Sequence, residues 1–172
     1  MTNQKGEGKK MNKDKLLQLT REVIEQSNEE DQHVIELLLK GLKKKQYHEK
    51  GDYIGALLHA TTKFKDKQFQ ITIPNTPIIQ NSLNIVHGGI TATLLDSAMG
   101  GLVHHILPPD KAAVTTEIKI NYVAPGVGKE LSCISNVIHK GNKTVVTEGK
   151  VFRDDGTLIA HSTASFFIIN RQ

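Results

Sequence analysis

Tryptophan is absent from this 172-residue chain, and aromatic residues make up only 5% of it. That scarcity argues against a module that stacks nucleic-acid bases on aromatic platforms. There is a single cysteine, Cys133. An intramolecular disulfide and any cysteine-cluster metal site are therefore excluded, and a reducing compartment is favoured. The eight histidines show no tight metal-ligand spacing with carboxylates, so no metal site is expected. Long apolar runs are missing too. The most apolar stretch, Ile90 to Val103, contains Asp96 and is too short to span a bilayer. The first 15 residues are polar and carry no apolar segment of the secretory kind, which makes a cytoplasmic location the expectation. Nor is charge of one sign gathered anywhere. The net +4 comes from 11 Lys+Arg against 9 Asp+Glu in residues 1–50 and the same balance in residues 51–172. Such a balance tolerates an anionic ligand without requiring one.

What is present is enough for one core: 38% hydrophobic and 23% charged residues suit a single domain with or without an extension. After a Lys/Gly-rich start, Met1 to Lys10, that reads as frayed, Asn12 can cap a helix over residues 13–26. Leu16, Leu19, Val23 and Ile24 give it one apolar stripe. Ser27 and Glu30 have the spacing of a capping box for a second helix, Asn28 to Lys45, with Val34, Leu38, Gly41 and Leu42 on one face. Lys43-Lys44-Lys45 suits its C-terminal end, where cations meet the negative end of the helix dipole.

From Tyr53 the period changes to that of strands. Residues 53–62 and 68–73 predict two strands joined near Lys65-Asp66-Lys67. A loop and then a helix from Gly88 to Leu107 follow, stopped by Pro108-Pro109. Four more strands are predicted over 112–123, 130–139, 143–152 and 157–169, with turns at Pro125-Gly126, Gly141-Asn142 and Asp155-Gly156. In the first of these, Val114, Thr116, Ile118, Ile120 and Tyr122 alternate with Thr115, Glu117, Lys119 and Asn121, which puts Thr115 on the wetter face. The last is apolar on both faces and reads as central. An antiparallel sheet wrapped around one very apolar helix is the simplest way to bury all of this.

Asp96 is the residue in that helix that needs an account. A carboxylate among Ala92, Thr93, Met99 and Gly100 is costly to bury unless it is paired, so it is either satisfied by a partner such as Ser97, Thr93 or another subunit, or kept for a chemical task. At the start of the helix, Gly88 and Gly89 offer backbone N–H groups with no side chain in the way. Such a place stabilises an anion or an oxyanion developing on a carbonyl. Eight residues separate Gly88 from Asp96, roughly 12 Å along the axis. One chain cannot bring both to one carbonyl, and a site shared between two antiparallel copies would.

Asn81, His87-Gly88-Gly89 and Asp96, within VHGGITATLLDSA and followed by TTEIKINYVAP, resemble the hotdog-fold acyl-CoA thioesterases, in particular the PaaI-like, phenylacetate-pathway branch. The resemblance covers residues 51–169 and leaves the N-terminal helices outside. It implies an α+β hotdog fold, a long central helix wrapped by a curved antiparallel sheet, here with an N-terminal helical extension (residues 1–50) before a thioesterase domain (51–172). It also implies hydrolysis of acyl-CoA to free acid and coenzyme A, by a dimer or dimer of dimers. Coenzyme A is then part of the substrate and no separate cofactor is needed. The implied roles place the Gly88 amide on the thioester carbonyl and Asp96 of the facing protomer as nucleophile or general base. Asn81 orients the thioester or the water, and His87 holds the loop. Thr115 matches a hydroxyl that one branch supplies from the strand after the helix, where another branch has Thr or Ser in place of Gly100. Gly89, Lys143 and Thr144 stand as candidate coenzyme A contacts, with Lys140, although a hairpin tip in solvent is the preferred reading of Lys140, Lys143 and Thr144. His104 and His105 read as packing or capping groups.

Two other classes follow from the same fold. A non-catalytic acyl-CoA sensor would want a DNA-binding helix-turn-helix, and residues 13–45 offer two long helices of near-balanced charge instead. A hotdog dehydratase would want a different His/acid arrangement, whereas His87 belongs to the Gly-Gly loop.

Overall fold

The computed structural model describes residues 12–47 and 51–171. The Lys/Gly-rich start lies outside the described residues. Helix α1 (Lys13–Gln26) begins where Asn12 accepts from the Asp14 N–H. Helix α2 (Glu29–Gln46) carries a capping box, but one residue later than Ser27 and Glu30 suggest. Asn28 accepts from the Asp31 N–H, and the Asp31 carboxylate takes the Asn28 N–H in return. Ser27 is already engaged, since its hydroxyl and its N–H both donate to Ile24 O and close α1.

The stretch predicted as a strand from Tyr53 starts instead as a short helix, α3 (Tyr53–Leu57), capped by Asp52 through the Gly55 N–H. A period-2 reading misses it because the Asp52 cap and the neighbouring α2 decide these five residues. Gly41 of α2 packs against α3, and a Cβ there would stand 2.8 Å from Ala56 O and 3.0 Å from Leu57 Cα. Strand β1 (Thr61–Lys65) then turns into β2 (Gln68–Pro74) through Asp66 and Lys67, both at positive φ, the twist that a two-residue hairpin demands.

After a 3-10 turn at Pro77–Ile79 the long helix α4 (Gly88–Ile106) runs across the concave side of the sheet. The strands β3 (Lys111–Tyr122), β4 (Glu130–Lys140), β5 (Thr144–Arg153) and β6 (Leu158–Asn170) complete it. All neighbours are antiparallel, in the order β1-β2-β4-β5-β6-β3. Strand β6 is therefore internal, though one place from the edge. It alternates rather than being buried on both faces, with Ala160, Ser162, Ala164 and Phe166 inward and Phe167 outward.

Helix and sheet meet over Leu94, Leu95, Ala98, Met99, Leu102 and Val103, all 2% exposed or less. Gly149 lets β5 approach this face, with Leu95 and Met99 filling the space where a Cβ would be. Ser135 of β4 sits at the centre with its hydroxyl 2.9 Å from both Phe69 O and Ala98 O, one proton shared between sheet and helix. The opposite side of α4 is not covered, so Ser97 and His104 are exposed despite the apolar sequence around them.

Candidate active site

The loop before α4 is tied down at both ends. Asn81 Oδ1 accepts from the N–H groups of Leu83 (2.9 Å) and Ile85 (3.3 Å), a local side-chain turn that permits the positive φ of Asn84. The Val86 N–H donates to Gly126 O and the His87 N–H to Ile79 O, both at 2.8 Å. His87 is the N-cap of α4 and its Nδ1 accepts the Gly89 N–H at 3.0 Å. An Nδ1 that accepts an amide proton leaves the ring hydrogen on Nε2.

A helix start leaves four N–H groups without intrahelical partners. Here Gly89 is taken by His87 Nδ1, and Ile90 and Thr91 both reach His87 O. Among the described residues no acceptor meets the Gly88 N–H. Two side chains hold the first turn from the other direction, Tyr122 OH on Gly88 O (2.9 Å) and Thr93 Oγ1 on Gly89 O (3.0 Å). Neither was expected from sequence. Tyr122 lies 34 residues away, and only strand pairing brings it to the helix.

Asp96 is half-buried rather than enclosed, on the flank of α4 that faces β3. Its partner is Thr115, whose Oγ1 donates to Asp96 Oδ1 at 2.8 Å. Thr115 is exposed, as its place among the wetter residues of β3 suggests, but strict alternation would put it on one side with Glu117 and Lys119, and the structure corrects that grouping. The register shifts between Thr115 and Glu117. Thr115 pairs with inward Phe166, and beyond the shift Ile118 pairs with inward Ala164. A bulge adds one residue, and one residue changes the face.

Gly89, Asp96, His87 and Thr115 thus cluster along α4 and the adjoining strand, and Asn81 buttresses the loop. Lys143 and Thr144 are elsewhere. Thr144 shares a row with Phe167 and Val114 on the convex face, opposite to Thr115. Lys140 is spoken for, its Nζ donating to Ile106 O at the C-terminal end of α4 (2.8 Å). His104 and His105 are packing and capping groups as expected. His105 Nδ1 lies 2.8 Å from Gly101 O, its ring is stacked on Phe64 and tilted against Phe69, and His104 meets Arg171. Cys133 is fully buried, and burial pushes its thiol up to about 12. Such a thiol carries no thiolate for nucleophilic work. Among the described residues no group of three or more His, Cys, Asp or Glu is placed to hold a metal, and no helix is long and apolar enough to cross a membrane.

The chemistry this arrangement can support is specific. A free amide at a helix start stabilises negative charge on an oxygen, and a hydrogen-bonded carboxylate can accept a proton or attack a carbonyl.

Residues 83–160 match the family model described as the thioesterase superfamily. The chain is 38% identical to the BH2602 protein of Bacillus halodurans, whose crystal structure contains CoA. That match covers 89% of this chain and 99% of the other, with a TM-score of 0.84, and so reaches into the N-terminal helices. It is 25% identical over 119 residues to the medium/long-chain acyl-CoA thioesterase YigI of Escherichia coli K12, spanning 60% of this chain and 77% of that protein. The fold is also that of a putative thioesterase, phenylacetic acid degradation-related protein, from Ralstonia eutropha, at a TM-score of 0.65 and 19% identity over 73% of this chain and 97% of the other.

Proposed function

Since the chain belongs to the thioesterase superfamily of hotdog-fold enzymes, we propose that it hydrolyses an acyl-CoA thioester to a free acid and coenzyme A. The observation that carries the reading is the Gly88 N–H, which meets no acceptor among the described residues, at the start of the helix that also bears Asp96. Medium and long chains are the substrate class, following the YigI likeness. The catalytic body is residues 51–172 and residues 1–50 are an extension to it.

In this reading the thioester carbonyl sits at the start of α4 and its oxygen accepts from the Gly88 N–H. One such donor contributes on the order of 3 kcal/mol to stabilising a tetrahedral oxyanion. His87 and Tyr122 are positioning residues, because they fix the turn that aims this N–H. Asn81, with Oδ1 committed to its own loop, has its Nδ2 left for the thioester or the water. Asp96 either takes the proton of the attacking water or attacks the carbonyl directly, and Thr115 holds its carboxylate in place.

The roughly 12 Å between Gly88 and Asp96 on one helix requires the two to come from different chains. Strand β3 has β6 on one side only, and its other edge is free among the described residues. A second copy pairing edge to edge about a two-fold axis sets the two α4 helices antiparallel, with Asp96 of each on the flank toward the other. The functional unit is then a homodimer with two shared sites. Gly89 is kept as a coenzyme A contact; Lys143 and Thr144, on the convex face, serve as such contacts only where two of these dimers associate into a dimer of dimers.

The test is thiol release from a panel of acyl-CoAs. Wild-type protein should turn over at least one medium or long chain, and Asp96→Ala should lower kcat by roughly 10²- to 10⁴-fold, the usual worth of a general base. No turnover across the panel, or an unaffected variant, overturns the reading.

A further inference from the structure

The segment between α2 and β1 does more than connect them. Gly41 lets α2 touch the backbone of α3 at Ala56 and Leu57. His59, at a φ of 51°, sets its Nε2 3.0 Å from Leu37 O. Both contacts brace α3 from the side of α2. Beneath α3 a cavity of about 220 Å³ lies between it, the inner face of β1–β2 and the flank of α4 away from Asp96. Leu58, Phe69, Ile71 and Leu94 make it apolar, and Thr93 and Ser97 line it along the helix. At Gly101 the absent side chain lets the Phe69 ring lie against the helix backbone, where any Cβ would collide with it.

We propose that this cavity receives the hydrocarbon end of the acyl group and that α3, held by α2, sets the chain length accepted. The inference rests on the hydrolase reading above. Its first support is placement. Thr93 lines the cavity and bonds Gly89 O, one residue from the Gly88 N–H. From Thr93 to Gly101 the helix runs roughly 12 Å along the cavity wall. A chain whose carbonyl is held at the start of α4 can continue along this flank. The second support is chemistry. The lining is mainly apolar, its polar groups being Thr62, Thr93, Ser97 and Asp52, whose carboxylate is engaged by the Gly55 N–H as the cap of α3. Such a lining suits an alkyl chain, and each methylene buried there strengthens binding about fourfold. Coenzyme A itself, with its phosphates, finds no cation along these walls.

Ile54 lines the cavity and is 57% exposed, so Ile54→Trp adds bulk without touching the core. The experiment measures kcat/KM for acetyl-, hexanoyl-, decanoyl- and hexadecanoyl-CoA, with calorimetric binding of two thioethers that cannot be hydrolysed, S-ethyl- and S-decyl-coenzyme A. Wild-type protein should bind the decyl compound more tightly than the ethyl one. Ile54→Trp should cut that preference, and the kcat/KM ratio of decanoyl- to acetyl-CoA, by about tenfold or more, the loss of two methylenes or more of burial. Leu58→Ala should shift the preferred chain upward. If both variants scale every chain equally, or wild-type protein binds both thioethers alike, the cavity assignment is overturned even when hydrolysis is observed. If the decyl preference exists and Ile54→Trp removes it while no acyl-CoA is turned over, the cavity assignment stands and the hydrolase reading falls.

Discussion

Thr115 donates a 2.8 Å hydrogen bond to Asp96, and it does so because β3 slips by one residue between Thr115 and Glu117. Without the bulge the hydroxyl would face outward with Lys119. A hydrogen bond to a carboxylate is worth about 1.5–3 kcal/mol. Thr115→Val should therefore lower kcat by about tenfold or more with a smaller effect on KM, and Thr115→Ser should recover most of the loss. Steady-state kinetics on one acyl-CoA checks this; an equal loss with Thr115→Ser would point to packing instead.

The shared site can be tested by complementation. Proline removes the N–H of Gly88 and is tolerated at the first helical position. The preceding residue, His87, already has the extended ψ of 134° that a following proline requires. Gly88→Pro should cost roughly 10²- to 10³-fold in kcat. Co-refolding Gly88→Pro with Asp96→Asn should restore activity, because the mixed dimer has one intact pair of groups. Two inactive variants that stay inactive when mixed would place both groups in one chain.

Gly41→Ala sets two effects against each other. In a helix interior alanine is favoured over glycine by about 1 kcal/mol. The new Cβ would meet backbone atoms of α3 at 2.8 and 3.0 Å, however, and backbone cannot rotate aside. Steric cost should win, and thermal melting should show a net destabilisation of about 1–3 kcal/mol.

Cys133 supplies a pH dependence. Its thiol has an ordinary value of 9.0, and burial pushes it up to about 12. The folded chain keeps a proton that the unfolded chain releases between those values. The stability tied to this group is complete below about pH 9 and is lost as pH rises toward 12. Urea midpoints should fall more steeply above pH 9 for wild-type protein than for Cys133→Ala. A thiol reagent should label the cysteine only after unfolding.

Ser135→Ala removes a hydroxyl that bridges β2 and α4 at the centre of the core. Both carbonyls lie within a strand or helix, so the loss should stay near the net worth of one buried hydrogen bond, about 1 kcal/mol. Chemical denaturation would measure it.

Much of the architecture is legible in the residues. Pro108-Pro109 ends α4, β4 alternates from Leu131 to Asn136 and β5 from Val145 to Val151, and Gly88-Gly89 opens a helix at the expected place. These features are local: a missing N–H, a period of two, a missing Cβ. Tyr53 to Leu57 is not legible as a helix in the sequence, because its helix depends on the Asp52 cap and on α2 lying against it. The capping box moved from Ser27 to Asn28 because two helix ends compete for Ser27.

By itself the sequence determined which chemistry is available. A carboxylate stands in an apolar helix that starts with two glycines, a single cysteine leaves no thiol cluster, and six strands are ready to wrap that helix. Only the tertiary structure decided which groups meet. A bulge chose the face of Thr115, strand pairing carried Tyr122 to Gly88, and the contact of α2 with α3 set α3 over a cavity beside α4. Those outcomes depend on contacts between residues far apart in the chain, where a shift of one position reverses a side chain and no local pattern records it.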